Sequence, residues 1–446
     1  MKHSRISLLP LTVTILFIAV YNFSCNKEVD PPVAKVSLTK KYTSDVANEW
    51  FSLLASTTRT NRYPSAPSIR IYSFSSIALY ETVVMGMPSY QSIYKYFTNN
   101  TIDVDPKKDY HWPAAANAAL ARISDKLIKN FAPNADLTPL QQLEARFNTS
   151  FQTEVKPDQL QFSIEFGKYV ADKIYDWSTS DGTLTPAGTL TLCPAYIPLG
   201  TPGTWVQTPT GFFPAAGACQ GNIRTFIPNI VNSTLPPPPI AYSTDPSSDF
   251  YKMANEVYQT SLTLTPDEIK LAQSWRDFTP NFNNPSHVLM LSSQVVAKEK
   301  LNLEDAAVLY AKLNVSMSDA IASVFKAKFH YALLRPITYI RGVMGHTTWN
   351  SVTPTPQHPA YPSTTAVNTA GVSMLEKFFG NNYAVVDSTQ QGWIGTWSYS
   401  SLDEFAKAAA KTKILAGHNY RFAVEAGITQ GRMVADMVNL LPFKKP

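Results

Sequence analysis

Lys328-Phe329-His330-Tyr331-Ala332-Leu333-Leu334-Arg335-Pro336 reads as the end of a long buried helix, and that reading decides the fold. Seven residues are almost two helical turns, so a helix through this stretch sets Lys328 and Arg335 on one face, about 10 Å apart along the axis. Pro336 disfavours α geometry at the residue before it and has no backbone N–H, so the helix is expected to stop at Arg335. Two long cationic side chains at a helix mouth can meet around one tetrahedral oxyanion. A solvated charge pair on a helix end is the other reading that spacing permits.

Outward from this stretch, helical periodicity dominates. Upstream, Val46, Trp50, Leu53, Leu54, Ile71, Phe74, Ile77, Ala78 and Tyr80 recur at helical spacing, and amphipathic helices are expected over 114–131, 139–152 and 159–177. Thr265-Pro266-Asp267-Glu268 is a strong helix start, after which helices are expected over 273–278, 285–302, 303–334, 364–379 and 402–438. Between 178 and 248 the periodicity collapses under Gly and Pro, with Pro236 to Pro239 the stiffest piece. So long an irregular stretch is uncommon unless it covers a site or lies ordered on the surface. The fold class is all-α: a composite helical bundle with a long Pro/Gly-rich insertion. The expected divisions are 1–24, 25–41, 42–177, 178–248 and 249–446: targeting segment, tether, N-terminal half, covering segment and C-terminal half.

The chain has 446 residues, enough for a large core, and its 23 Phe, 22 Tyr and 8 Trp exclude a disordered class. Lys2 and Arg5 precede an apolar run from Ile6 to Val20, a targeting pattern too short to span a bilayer comfortably. Phe23-Ser24-Cys25 looks like a bacterial lipoprotein cleavage site with Cys25 lipidated, so the expected location is the cell envelope. The chain would be anchored to the outer membrane by lipid alone, facing the periplasm or the surface. A plain secretory signal or an uncleaved anchor is the alternative. Losing residues 1–24 removes Lys2 and Arg5 and takes the formal charge from +5 to +3, too weak an excess to indicate nucleic-acid binding. Cys193 and Cys219 remain, outside the reducing cytoplasm, as a disulfide or as two free thiols. No Cys-x-x-C or clustered His/Cys pattern suggests a metal site.

The stretch 313–340 resembles the central helix of the vanadium-dependent haloperoxidase and type 2 phosphatidic acid phosphatase superfamily, whose first signature, K-x6-R-P, is matched by Lys328, Arg335 and Pro336. Trp275-Arg276-Asp277 and His287, then His358-Pro359-Ala360-Tyr361-Pro362-Ser363, Gly371 and Phe379-Gly380, then Tyr420-Arg421-Phe422 with Glu425-Ala426-Gly427 and Gly431, stand in the family order. The resemblance is strong from Lys270 onward and is closest to secreted bacterial haloperoxidase-like proteins. It implies a site that binds vanadate in the peroxidases and a substrate phosphoryl group in the phosphatases. Lys328, Arg335 and Lys413 would be its cationic donors and Ser363 a hydroxyl donor near a helix start.

The second and third signatures depart from the family. Thr364 stands for a glycine, and Thr365 for the acid/base histidine, which a threonine cannot replace near neutral pH. Asn419 stands for the histidine that bonds vanadate or attacks phosphorus, and Ala423 for the aspartate that orients it; Thr412 takes the place of the serine before Lys413. His418, one residue from Asn419, is the candidate substitute, although one position rotates a helical side chain by about 100°. Otherwise it is a partly exposed histidine at the rim. His330, His346 and His358 could also reach the pocket, but nothing in the sequence places them there and structural roles are expected. Three functions stay open: an impaired member that holds phosphate, sulfate or a phosphorylated small molecule, an active peroxidase or phosphatase using His418, and a structural or partner-binding lipoprotein.

Overall fold

The computed structural model describes Met1, 37–185, 188, 190–191, 193–276 and 282–446. Cys25, the proposed signal 1–24, most of the tether and Asp277 lie outside the described residues. Helices Asp45–Thr60, Ser65–Val83, Trp112–Phe131, Thr138–Phe151 and Pro157–Ser178 build the N-terminal part. Asp249–Leu262, Pro266–Ser274, Asn284–Lys298, Leu303–Tyr331, Pro336–Gly342, Thr365–Phe379, Leu402–Leu415 and Arg421–Asn439 build the C-terminal part. Caps set several starts: Thr265 and Glu268 form a reciprocal capping box, and Asn302 Oδ1 accepts from Asp305 N at 2.9 Å.

Leu303–Tyr331 is the axis of the molecule. Its residues are buried almost without interruption from Ala306 to Lys328, and it packs against Ser65–Val83, Thr365–Phe379 and Arg421–Asn439. One hydrophobic core runs through both parts, from Val46 to Phe443. Helix Arg421–Asn439 crosses the start of Thr365–Phe379 at small residues: a Cβ on Gly427 would sit 2.5 Å from the Ser363 carbonyl oxygen, and one on Gly431 would meet the Ala366 carbonyl. Gly427→Ala is expected to cost about 1–3 kcal/mol by overpacking, measured by urea unfolding. No loss would show that this crossing is loose.

The expected helix end is corrected. Leu303–Tyr331 stops four residues before Arg335, because Ala332 adopts a left-handed conformation (φ 48°, ψ 34°). The residues that follow pair with the covering segment instead of continuing the helix: Trp205 N donates to Ala332 O at 2.6 Å and Leu334 N to Gly203 O at 3.0 Å. Arg335 is extended, as a residue before proline should be, and caps a new helix in which Pro336 is the first residue. The two cations therefore do not share a helical face.

Among its described residues from 179 to 248, the covering segment is irregular apart from Gln220–Asn222 and Ile230–Ser233. It is pinned to the axis by Asp319, whose carboxylate accepts from Phe226 N at 2.8 Å and Ile227 N at 2.9 Å. Cys193 and Cys219 are joined by a disulfide with their Cα atoms 5.4 Å apart. A short antiparallel pair, Val385–Asp387 with Trp397–Tyr399, escaped the periodicity reading because three residues are too few to show alternation. No helix among the described residues is long and apolar enough to cross a membrane.

Candidate functional site

The site is built where three segments meet: the end of the central helix, the loop 357–364 and the turn 416–420. Lys328 points from the last turn of its helix into the loop, donating from Nζ to the Pro359 carbonyl at 2.7 Å and lying 3.5 Å from that of Ala360. It is fully buried. Burial holds its pKa well below the usual lysine range, and the positive charges of Arg335 and Lys413 lower it further.

Arg335 ties the loop to the turn. Nε donates to His358 O at 2.7 Å, Nη1 to His418 O at 2.8 Å and to Asn419 Oδ1 at 3.2 Å, and Nη2 to His358 Nδ1 at 3.0 Å. Burial lowers this guanidinium to about 9. Asn419 completes the tie, donating from Nδ2 to Ala360 O at 2.5 Å. Its amide spans the same two segments that Arg335 joins.

Ser363 and Thr365 are buried and share a 2.7 Å hydroxyl contact, and Ser363 Oγ accepts from Thr365 N at 3.3 Å. Thr364, not Ser363, occupies the cap position of Thr365–Phe379. Ala423 lies in the small apolar cluster with Tyr361 and Tyr420, and its carbonyl accepts Ser363 N at 2.8 Å. Thr412 turns its hydroxyl back to Ala409 O within its own helix. Lys413 is buried; its Nζ lies 3.4 Å from Trp275 O and 3.4 Å from Asn284 Oδ1, and it has further interactions besides.

His418 is not the rim residue expected as the alternative to a ligand. It is 7 % exposed, with Nε2 3.0 Å from the Thr353 carbonyl and 3.1 Å from the Thr353 hydroxyl. The turn that presents it contains Gly417 at φ 78°, and its own carbonyl, not its ring, meets Arg335. Burial pushes its pKa down to about 3 from an ordinary 6.5, a shift the charges of Lys413 and Arg335 deepen. Between those two pH values the unfolded chain binds a proton that the folded chain does not. Stability is therefore lost as pH falls through that window. His418→Gln, which keeps a donor for Thr353, is expected to shallow the loss of urea stability between pH 6.5 and pH 4. An unchanged slope would assign the acid sensitivity elsewhere.

His358 stands beside Arg335, a contact that nothing in the sequence located. Its ring accepts from Arg335 and lies tilted against the Phe325 ring at 5.1 Å. Desolvation, then Lys328 and Arg335, hold its pKa well below the imidazole range; since a guanidinium can only donate, the 3.0 Å contact assigns Nδ1 as acceptor, with the Pro359 carbonyl 3.3 Å away. The available signal was its position five residues before Ser363, in a loop stiffened by Pro359 and Pro362. His330 meets Tyr331 edge to face and His346 stacks on Tyr258. His287 pairs with Asp387 at 2.7 Å under Trp275. No group of three or more His, Cys, Asp or Glu among the described residues is placed to hold a metal ion.

The chain superposes on a structure described as the first bacterial vanadium-dependent iodoperoxidase with TM-score 0.80 and 25% identity, covering 89% of this chain and 96% of that one. It has the vanadium-dependent haloperoxidase fold. Holo-type and apo-type bacterial vanadium-dependent chloroperoxidase structures share the haloperoxidase fold at 13% identity, with TM-scores of 0.65 and 0.64. Each covers 84% of this chain, and the alignment spans 92% and 94% of theirs. The family model for the VCPO second helical-bundle domain matches residues 308–441, which contain Lys328, Arg335 and the whole loop and turn around them. No curated protein matches the chain.

Proposed function

We propose that this haloperoxidase-fold chain is an envelope lipoprotein that holds a phosphate-like oxyanion, free or on a small molecule, without the turnover of the fold's enzymes. The observation that carries this reading is the pairing of Lys328 with Arg335. Both are buried, and no carboxylate among the described residues pairs with either. A buried cation with no counter-charge costs several kcal/mol, which an anion between the two would offset.

Vanadate fits the charge of this site but not a covalent seat in it. Where the resemblance places the imidazole that bonds the metal, Asn419 presents an amide already engaged with Arg335 and Ala360. Lys328, Arg335, Ser363 and Lys413 would hold a tetrahedral anion through charge and hydrogen bonds. Thr365 supplies no acid or base, and Ala423 no orienting carboxylate. An active enzyme using His418 would have to release that ring from Thr353.

Thermal unfolding in phosphate, sulfate or vanadate at millimolar concentration is the direct test, with a rise in Tm expected from each bound anion. A flat response to all three would leave the structural or partner-binding role. Sustained bromide peroxidation or phosphate-ester hydrolysis by the pure protein, lost in His418→Ala, would restore the enzyme. Cys25→Ala is expected to move the protein from the membrane fraction to the soluble fraction, as required of an anchor made of lipid.

A further inference from the structure

A cavity lies further towards the start of the central helix, between that helix, the start of Ser65–Val83 and the covering segment. Its volume is about 50 Å³, and its walls include Phe74, Phe131, Ile223, Ile321 and two arginines, Arg70 and Arg224. Ile321 stands seven residues before Lys328, about 10 Å along the axis, so the cavity is separate from the cationic loop site.

Both arginines keep a donor in reserve there. Arg70, 6 % exposed, donates from Nε to Asp181 at 2.7 Å and from Nη2 to Ser178 O at 2.9 Å, while its buried Nη1 has no partner. Arg224 donates from Nη2 to Trp177 O at 2.9 Å and lies over the Trp177 ring, and its buried Nε likewise has no partner. Burial lowers the pKa of Arg224; Asp181 opposes that, and the Arg70 guanidinium is close enough to add to it. Asp181 also lines the cavity and is paired with Arg70, so Arg224 is left as the cation without a salt-bridge partner among the described residues. Asp181 accepts from Arg70 Nε and Thr183 N, and Asp319 from Phe226 N and Ile227 N.

A buried N–H left without an acceptor costs about 1–3 kcal/mol, and here two come from separate cationic groups lining one small space. A ligand that only accepts hydrogen bonds and carries one negative charge answers both. Space for one or two water-sized particles limits it to a halide or a small planar carboxylate such as formate.

We infer that Arg70 and Arg224 form a binding site for a small monovalent anion, which fastens the covering segment to the helical bundle. The purified protein is exchanged into gluconate, too large for the cavity, and chloride or formate is added at constant ionic strength while Tm is followed. The expected result is a saturable rise of about 2 °C. It should be lost in Arg224→Gln and retained in Lys328→Met. A bromide-soaked crystal should show an anomalous scatterer in contact with Arg70 Nη1 and Arg224 Nε, an arm that needs no variant to fold. Comparing chloride with formate separates a halide from a carboxylate occupant. Equal Tm in all three salts, a rise that survives Arg224→Gln, or no bromide at the two nitrogens would each overturn the site and leave water in its place.

Discussion

Lys328→Met is expected to abolish the rise in Tm induced by phosphate, sulfate or vanadate while leaving the Tm in buffer without these oxyanions no lower than that of the wild type. The substitution removes a buried charge that, among the described residues, feels the positive charges of Arg335 and Lys413. It fills similar volume with a flexible apolar chain. Its one cost is the Pro359 carbonyl, which loses the 2.7 Å hydrogen bond from Nζ, against a desolvation penalty of several kcal/mol that disappears. At 100 times its dissociation constant, an anion bound only by the folded wild type contributes about 2.7 kcal/mol, and the variant should forfeit nearly all of it. A large drop in Tm without anion would mean that Lys328 serves the fold and not a ligand.

Arg335→Met should do the opposite and destabilise by about 3–5 kcal/mol, read from urea unfolding. Four hydrogen bonds join this one guanidinium to His358, His418 and Asn419, and truncation leaves two buried carbonyls without their donor. Arg335→Lys keeps the charge but not the fork, and should still lose about 2 kcal/mol. Losses under about 1 kcal/mol in both variants would refute the tie between loop and turn. The two cations of one motif are thus expected to differ in kind, Lys328 acting on the ligand alone and Arg335 on both the ligand and the architecture.

The sequence made the helical class and the order of the motifs plain, because both rest on local periodicity and on residues a few positions apart. Pro336 correctly announced an extended Arg335. It did not announce that the helix had already ended at Tyr331, since the left-handed Ala332 is held by contacts with residues 203–205, more than a hundred positions away. The orientation of His418 was equally hidden. It depends on the Gly417 turn and on Thr353, which lies 65 residues upstream. His358 was visible as a letter but not as a neighbour of Arg335, because a loop brings them together and no helical repeat relates them. The losses at Thr365, Asn419 and Ala423 were legible only through the resemblance; spacing alone says nothing about a residue that is missing.

The hydrogen bonds from Trp205 and Leu334 across to Ala332 and Gly203 bear on how such a site changes over time. They fix where the central helix breaks, and so set the separation of Lys328 from Arg335 from within a stretch that carries neither charge. A one-residue insertion or deletion near Gly203 would regauge the gap between the two cations with every site residue intact. The covering segment is therefore a ruler for the site, and its length is a place where related chains can diverge in the anion they accept.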